Sequence, residues 1–284
     1  MTSKKNINIT KHSGEPTVFD VKRLKNSLER SGAKDDLIND VVKEVEKSLY
    51  EGISTKEIYK KAFSILRKNA RPSAARYKLK KAIMELGPTG YPFEKFVGEI
   101  LRHQGFDIQV GVIIKGHCVN HEVDVVAEKD TKHFMVECKF HSQHNRHCNV
   151  KIPLYIQSRF KDIEKQWKSR PGHETKFHQG WIFTNTRFTS DAIQYGKCAG
   201  LMLIGWDYPK KGSLKERIDF SGLHPVTCLT TLTKQEKQKL LEKNMVLCKE
   251  ICENHDILST IGIKDNRHHK IMSEANDLCQ GKIL

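Results

Sequence analysis

The stretch Asn120–Phe140, NHEVDVVAEKDTKHFMVECKF, decides how the rest of the chain is read. Two runs of alternating apolar residues, 122–127 and 133–140, flank the charged segment Glu128-Lys129-Asp130-Thr131-Lys132. Alternation on both sides of a polar connection predicts a β-hairpin. Side chains alternate across a strand, so Phe134, Val136 and Cys138 share one face and Met135, Glu137 and Lys139 the other. Asp124, on the first strand, reaches the face of Glu137 and Lys139. Two carboxylates and an amine gathered there are costly unless they are paired or hold a cation. The plain alternative is a solvated strand face with a cross-strand ion pair.

Asp124, Glu137 and Lys139 fall in the spacing D-x(12)-E-x-K, which resembles the active site of the PD-(D/E)xK nucleases. The resemblance implies that Asp124 and Glu137 hold Mg²⁺ (or Mn²⁺), together with a main-chain carbonyl between Glu and Lys, here that of Cys138. It assigns Lys139 to orienting or deprotonating the attacking water. The chemistry is sound, because a hard cation on carboxylate oxygens keeps several waters, bridges to phosphate and lowers the pKa of bound water. E-x-K alone means little and recurs at Glu174-Thr175-Lys176. At Glu137 the motif sits in an apolar strand preceded by a second strand that carries an acid.

Upstream, Gly87-Pro88-Thr89-Gly90 breaks the chain, and Phe93, Phe96, Val97, Ile100 and Leu101 mark an amphipathic helix. The run 91–97, YPFEKFV, resembles the first helix of Mrr-like restriction endonucleases. That likeness implies that Glu94 points at the hairpin and completes the metal site. On local grounds Glu94 is equally a first-turn acid favoured by the helix dipole. A strand is expected over 106–114. Glu122 shares the parity of Asp124 and competes with it as a ligand, with Asp124 preferred as nearer the middle of its strand.

Downstream, His141, His144, His147 and Cys148 are zinc-ligand types, but their spacing presets no tetrahedral geometry. A polar loop leaning over nucleic acid is the expectation. Pro153 opens a helix with Ile156, Phe160, Ile163 and Trp167 inward, and with Arg159, Lys161, Lys165 and Lys168 mostly outward. Gln157 stands where related nucleases often carry a glutamine that positions the site; the ordinary reading is an exposed helix glutamine. A strand at 180–184, a helix near 190–198 and a strand at 201–206 complete an αβββαβαβ order over 91–207, as in the nuclease core.

The first segment has a different character. Residues 6–12 alternate like a strand before the turn Ser13-Gly14. Asp20 is a helix N-cap, Ser54-x-x-Glu57 a capping box, and Pro72 opens a fourth helix carrying Tyr77, Ile83 and Leu86. Three stretches, Ile9–Gly14, Phe19–Leu24 and Gly52–Ile58, together resemble the ATP-cone, a regulatory nucleotide-binding domain. The resemblance implies a β-hairpin on a four-helix bundle that binds ATP or dATP. It places Lys11, His12 and Arg23 at the phosphates, Thr55 as a hydroxyl contact and Tyr59 near the base or sugar. Family members commonly have Lys-Arg where this chain has Lys11-His12. There is no Gly-rich phosphate loop, which argues against a Walker-type ATPase.

The chain has 284 residues, 38% of them hydrophobic and 29% charged, enough for about two domains with real cores. Its net charge of +15 suggests a polyanionic partner, most simply nucleic acid. No apolar run reaches the ~18 residues of a membrane span, and no secretory leader is visible. The eight cysteines show no CxxC pair and are expected reduced, in a cytoplasmic setting. Residues 208–219 read as a charged linker. In the helical tail Leu232-Thr233-x-x-Glu236 caps a helix through Leu240 and Leu241. The short helices around Ile261-Gly262-Ile263 weakly resemble a helix-hairpin-helix DNA-binding unit; packing or dimerisation is equally open.

The expected architecture is multidomain, α/β and α+β: an ATP-cone at 1–87, a restriction-endonuclease-like α/β core at 88–212 and a helical region at 213–284. The expected function is a nucleotide-regulated, metal-dependent DNA endonuclease, as a homo-oligomer because cutting both strands takes two sites. The alternatives are an inactive nucleotide-sensing DNA-binding regulator, or a nuclease for RNA or branched DNA.

Overall fold

The hairpin forms, and it lies inside a five-stranded mixed sheet of order β3-β4-β5-β7-β9. The computed structural model describes residues 7–11, 13–143, 145–254 and 256–279. Residues 1–6 and His12, read above as part of the first strand and the nucleotide site, lie outside them, as does His144.

The N-terminal unit is a hairpin of β1 (Asn8–Thr10) and β2 (Pro16–Val18) against α1 (Val21–Arg30), α2 (Asp35–Lys47), α3 (Thr55–Asn69) and α4 (Arg71–Tyr77). Its local signals act as expected. Asp20 caps α1 by accepting from the Lys22 and Arg23 amides, and Ser54 with Glu57 closes a capping box on α3. Ile9, Leu24, Leu28, Val41, Val45, Ile58 and Leu66 form its own core. The expected fourth helix is interrupted at Lys78, and the chain resumes as α5 (Leu79–Met84). The break redirects the chain: Leu79, Ala82, Ile83 and Leu86 pack into the large core shared by the sheet and the C-terminal helices.

The sheet carries α6 (Tyr91–His103) on one face and α7 (Lys151–Lys168) on the other, with α8 (Ser190–Cys198) beside α7. Its strands are β3 (Asp107–Lys115), β4 (Asn120–Lys129), β5 (Lys132–Lys139), β7 (Phe177–Thr184) and β9 (Met202–Ile204). A two-residue pair, β6 (His147–Cys148) and β8 (Arg187–Phe188), sits apart from it. β3, β4 and β5 run antiparallel, whereas β5, β7 and β9 run parallel. The hairpin turn is tighter than its charged segment suggested. Lys129 pairs with Lys132, leaving Asp130-Thr131 as a two-residue loop with Asp130 at φ +52°.

The parity of β5 holds: Phe134, Val136 and Cys138 join the core under α6, and Met135 the core under α7. β3 and β4 change faces part-way. Val110 and Val125 pack toward α6, yet Val112 and Val123 pack toward α7. The switch falls at Gly111, whose φ of +64° excludes most side chains, and at Asp124, its opposite number.

The segment read as a linker is partly helical. Ser213 caps α9 (Leu214–Ser221), which buries Leu214 and Ile218 completely and holds Lys215, Arg217 and Asp219 partly buried beside them. After a 3-10 turn come α10 (Lys234–Glu242), α11 (Cys248–Glu253), α12 (Ile257–Thr260) and α13 (Asp265–Cys279). Ile261 and Ile263 are buried in the core they share with α6. No helix among the described residues is long and apolar enough to cross a membrane.

Candidate active site

The ladder between β4 and β5 stops at Val125–Val136, and beyond it the acids collect. Asp124 Oδ2 accepts the Cys138 amide at 2.7 Å, bridging the strands where their own pairing has ended. Glu137 lies across from it, and α6 supplies Glu94 from its first turn. Burial pushes the Glu137 carboxyl up to about 7, with the charge of Asp124 next, while Arg159 and Lys139 oppose the rise. Glu94 is also pushed up to about 7, first by burial and then by Asp124, Glu122 and Glu137. Burial raises Asp124, against the pull of the Cys138 amide. Three acids acting on one another in a half-buried space mark an electrostatically loaded site.

Lys139 faces this group, attracted to both Asp124 and Glu137. Its main chain is pinned from β7: the Thr184 hydroxyl donates to the Lys139 carbonyl at 2.8 Å. Asn185, fully buried, accepts the His141 amide and returns a bond to the His141 carbonyl, each at 2.8 Å.

Arg159 was missed by the reading that turned it outward. Its guanidinium donates to Glu137 Oε2 at 2.9 Å, also reaches the Glu122 carbonyl, and lies over the Tyr155 ring at 5.4 Å. The helical signal was available. Tyr155, Arg159 and Asp162 form one flank of α7, beside the inward stripe of Ile156, Phe160 and Ile163. On that flank Asp162 accepts from the Cys118 and Val119 amides and from His121, fastening the β3–β4 connection to the helix. A Cβ at Gly116 would sit 2.1 Å from the Asp162 carboxylate, so a glycine is required there.

Gln157 is not brought to the acids. Two residues before Arg159 on a helix means the opposite flank, and its amide donates to the Ala199 carbonyl at 3.3 Å. Of the downstream histidines, His141 meets Cys148 at 3.3 Å (Nε2 to Sγ), while His147 is exposed on β6. Among the described residues no three His, Cys, Asp or Glu side chains form a metal-holding group. The hairpin therefore offers two carboxylates and a main-chain oxygen. Burial lifts Glu137 and Asp124 first, and a neighbouring carboxylate adds to each, Asp124 for Glu137 and Glu122 for Asp124, a charge that a divalent cation would relieve.

In the N-terminal unit Lys11 pairs with Glu15 at 3.2 Å, and Thr55 begins α3. Tyr59 stacks between Tyr77 (5.2 Å) and Phe63 (6.0 Å), its buried hydroxyl lacking a hydrogen-bond partner. Arg23 lines a cavity of about 370 Å³ beside α4, α5 and Trp206.

Three family models match in order along the chain: ATP cone domain over residues 7–80, Restriction endonuclease over 88–207, and AF1548-like, C-terminal over 224–279. An uncharacterised protein of Archaeoglobus fulgidus is 34% identical over 180 residues, which is 63% of this chain and 97% of that protein. The crystal structure of AF1548, a protein of unknown function, is similar at 33% identity with a TM-score of 0.56, covering 68% of this chain and all of that one.

Proposed function

This chain belongs to the AF1548-like family, with an ATP-cone and a restriction-endonuclease domain in one polypeptide, and on that premise we propose that it is a nucleotide-regulated, divalent-metal-dependent DNA endonuclease. The observation that carries the reading is the convergence of Glu94, Asp124 and Glu137 with Lys139 where β4 and β5 part.

Asp124, Glu137 and the Cys138 carbonyl hold the cation, Mg²⁺ or Mn²⁺. When bound, it neutralises charge on the phosphodiester and lowers the pKa of water. Lys139, its main chain held by Thr184, presents its ammonium to the attacking water or to a non-bridging phosphate oxygen. Glu94 borders the same space and adds a further carboxylate. Arg159 holds Glu137 at 2.9 Å and balances its charge. The net charge of +15 suits a duplex substrate. ATP or dATP is the ligand of the cone, with Lys11, Arg23, Thr55 and Tyr59 as its residues by family likeness. A homo-oligomer in the cytoplasm would bring two sites to two strands.

A plasmid-nicking assay with Mg²⁺ or Mn²⁺, with and without ATP and dATP, tests this on wild type and Lys139→Ala. Cleavage that the substitution abolishes is the expected result. The Arg159–Glu137 ion pair favours one competing reading, a DNA-binding regulator whose acid is permanently neutralised. Absence of cleavage under every condition, with DNA binding that still responds to nucleotide, would establish it instead. RNA and junction substrates in the same assay define the substrate class.

A further inference from the structure

One strongly cationic cavity of the cone is not enclosed by the cone alone. Arg23 and Arg30 of α1, Arg76 and Lys80 of α4 and α5, and Lys215 of α9 line one space of about 370 Å³. Trp206, at the end of β9, closes it, and Asp219 is the acid among its walls. Three of the five cations are half-buried or deeper. Burial pushes the Lys80, Lys215 and Arg76 cations down, and for Lys80 the nearby Arg187 adds to the effect. Some of this charge is already met, Arg23 by Asp20 at 3.3 Å and Arg76 by the Asp277 carbonyl. Lys215 is still opposed by Arg30, and the five cations outnumber the one carboxylate in the lining, which favours an anion. The volume falls in the ordinary range for a small ligand, about 300–1,000 Å³, and a duplex does not fit it. Asn26, Ser27 and Ser31 add neutral hydrogen-bonding groups to the same wall.

We propose that this cavity is a polyphosphate site shared between the cone and the nuclease domain, and that the triphosphate of a nucleotide occupies it. The inference rests on the nucleotide-regulated reading above, keeps Arg23 from it, and moves the phosphates from Lys11 to this cavity, which Lys11, Thr55 and Tyr59 do not line and nuclease-side residues do. Its position gives the ligand a mechanical route. The Lys80 ammonium lies 5.3 Å from the centre of the Trp206 ring, and the Trp206 amide donates to the Thr186 carbonyl at 2.8 Å. Met84, at the end of α5, touches the Asn185 amide nitrogen at 3.2 Å. Thr184, Asn185 and Thr186 form the segment that pins Lys139 and His141. An anion drawing Lys80 and Lys215 together acts on both supports of that segment, and so on the position of Lys139.

The test is calorimetric titration of the full chain with ATP and, separately, with inorganic tripolyphosphate, for wild type, Lys215→Ala and Arg30→Ala. Each substitution removes a charged contact and is expected to weaken both ligands about tenfold. Lys215→Ala matters most, since it lies outside the cone. Arg30 is exposed, so Arg30→Ala covers the case in which the buried variant is misfolded, judged by thermal unfolding without ligand. ATP binding unchanged in both variants would overturn the shared site and leave a nucleotide-regulated nuclease intact. Tripolyphosphate binding that depends on Lys215, without ATP binding, would keep the anion site and remove the nucleotide. Binding of neither by wild type would remove both.

Discussion

Helix α7 crosses one face of the sheet, and the two ends of that face bury opposite kinds of titratable group. At one end stand Asp124 and Glu137, joined by Glu94 from α6 across the sheet. At the other end His133, His173 and His178 cluster with Trp167 beside a cavity of about 660 Å³, with ring centres 4.8 Å apart for His133 and His173 and 5.1 Å for Trp167 and His178. Burial disfavours charge at both, lifting the carboxyls and lowering the imidazoles of His133 and His178. The responses differ. The acids are met by the Cys138 amide and Lys139 from β5 and by Arg159 from α7. The histidines are packed mainly by ring against ring. His178 is 7% exposed, and both its nitrogens lack a hydrogen-bond partner. A displaced titration is therefore a poor marker of a site by itself; convergence of donors on the displaced group is the better one.

The sharpest way to break this comparison is to neutralise one group at each end. Asp124→Asn is expected to lower plasmid nicking at least about 10²-fold, the scale of losing a principal electrostatic contact to the reacting group. His133→Gln should leave it within about threefold, as for a substitution remote from the chemistry. A folded His133→Gln protein that does not cut would dissolve the distinction.

A smaller effect is expected at Arg159, which competes with a cation for Glu137. In Arg159→Ala, calorimetry should show Mn²⁺ binding about tenfold tighter, the equivalent of one charge-assisted hydrogen bond removed from the competition. Weaker binding would mean that the guanidinium organises the acids for the ion.

The smallest effect is on stability. His133 is pushed down to about 4 from an ordinary 6.5, first by burial and then by Lys176 and His173; Glu128, 3.5 Å away, does not reverse this. Between those values the unfolded chain binds more protons than the folded one. Stability is thus full above pH 6.5 and lost as the pH falls toward 4. A fall in Tm of about 2–4 °C per kcal/mol is expected across that window, and His133→Gln should flatten it. An unchanged slope in the variant would place the acid sensitivity elsewhere.

Legibility followed the range of the forces involved. The β5 parity, the Asp20 cap and the capping boxes at Ser54 and Thr233 depend on neighbours within four residues, and all were readable. Arg159 was not, because a long stem leaves a guanidinium free to turn inward once an acid waits there. α9 hid behind its lysines, since two fully buried residues, Leu214 and Ile218, suffice to anchor it. Tyr59, assigned to a nucleotide by likeness, also stacks on Tyr77, a partner that only the folded chain supplies.

α5 has a consequence for how the chain comes apart. By sequence likeness the cone ends near residue 80 and the nuclease begins at 88, so a cut between them looks clean. Leu79, Ala82, Ile83 and Leu86 nonetheless lie in the core that the nuclease sheet shares with the C-terminal helices. A truncation that begins at Pro88 would strip four apolar plugs and leave a sticky, aggregation-prone scar, whereas one that keeps Lys78 onward retains them. The boundary that heredity draws and the boundary at which the polypeptide melts are different places.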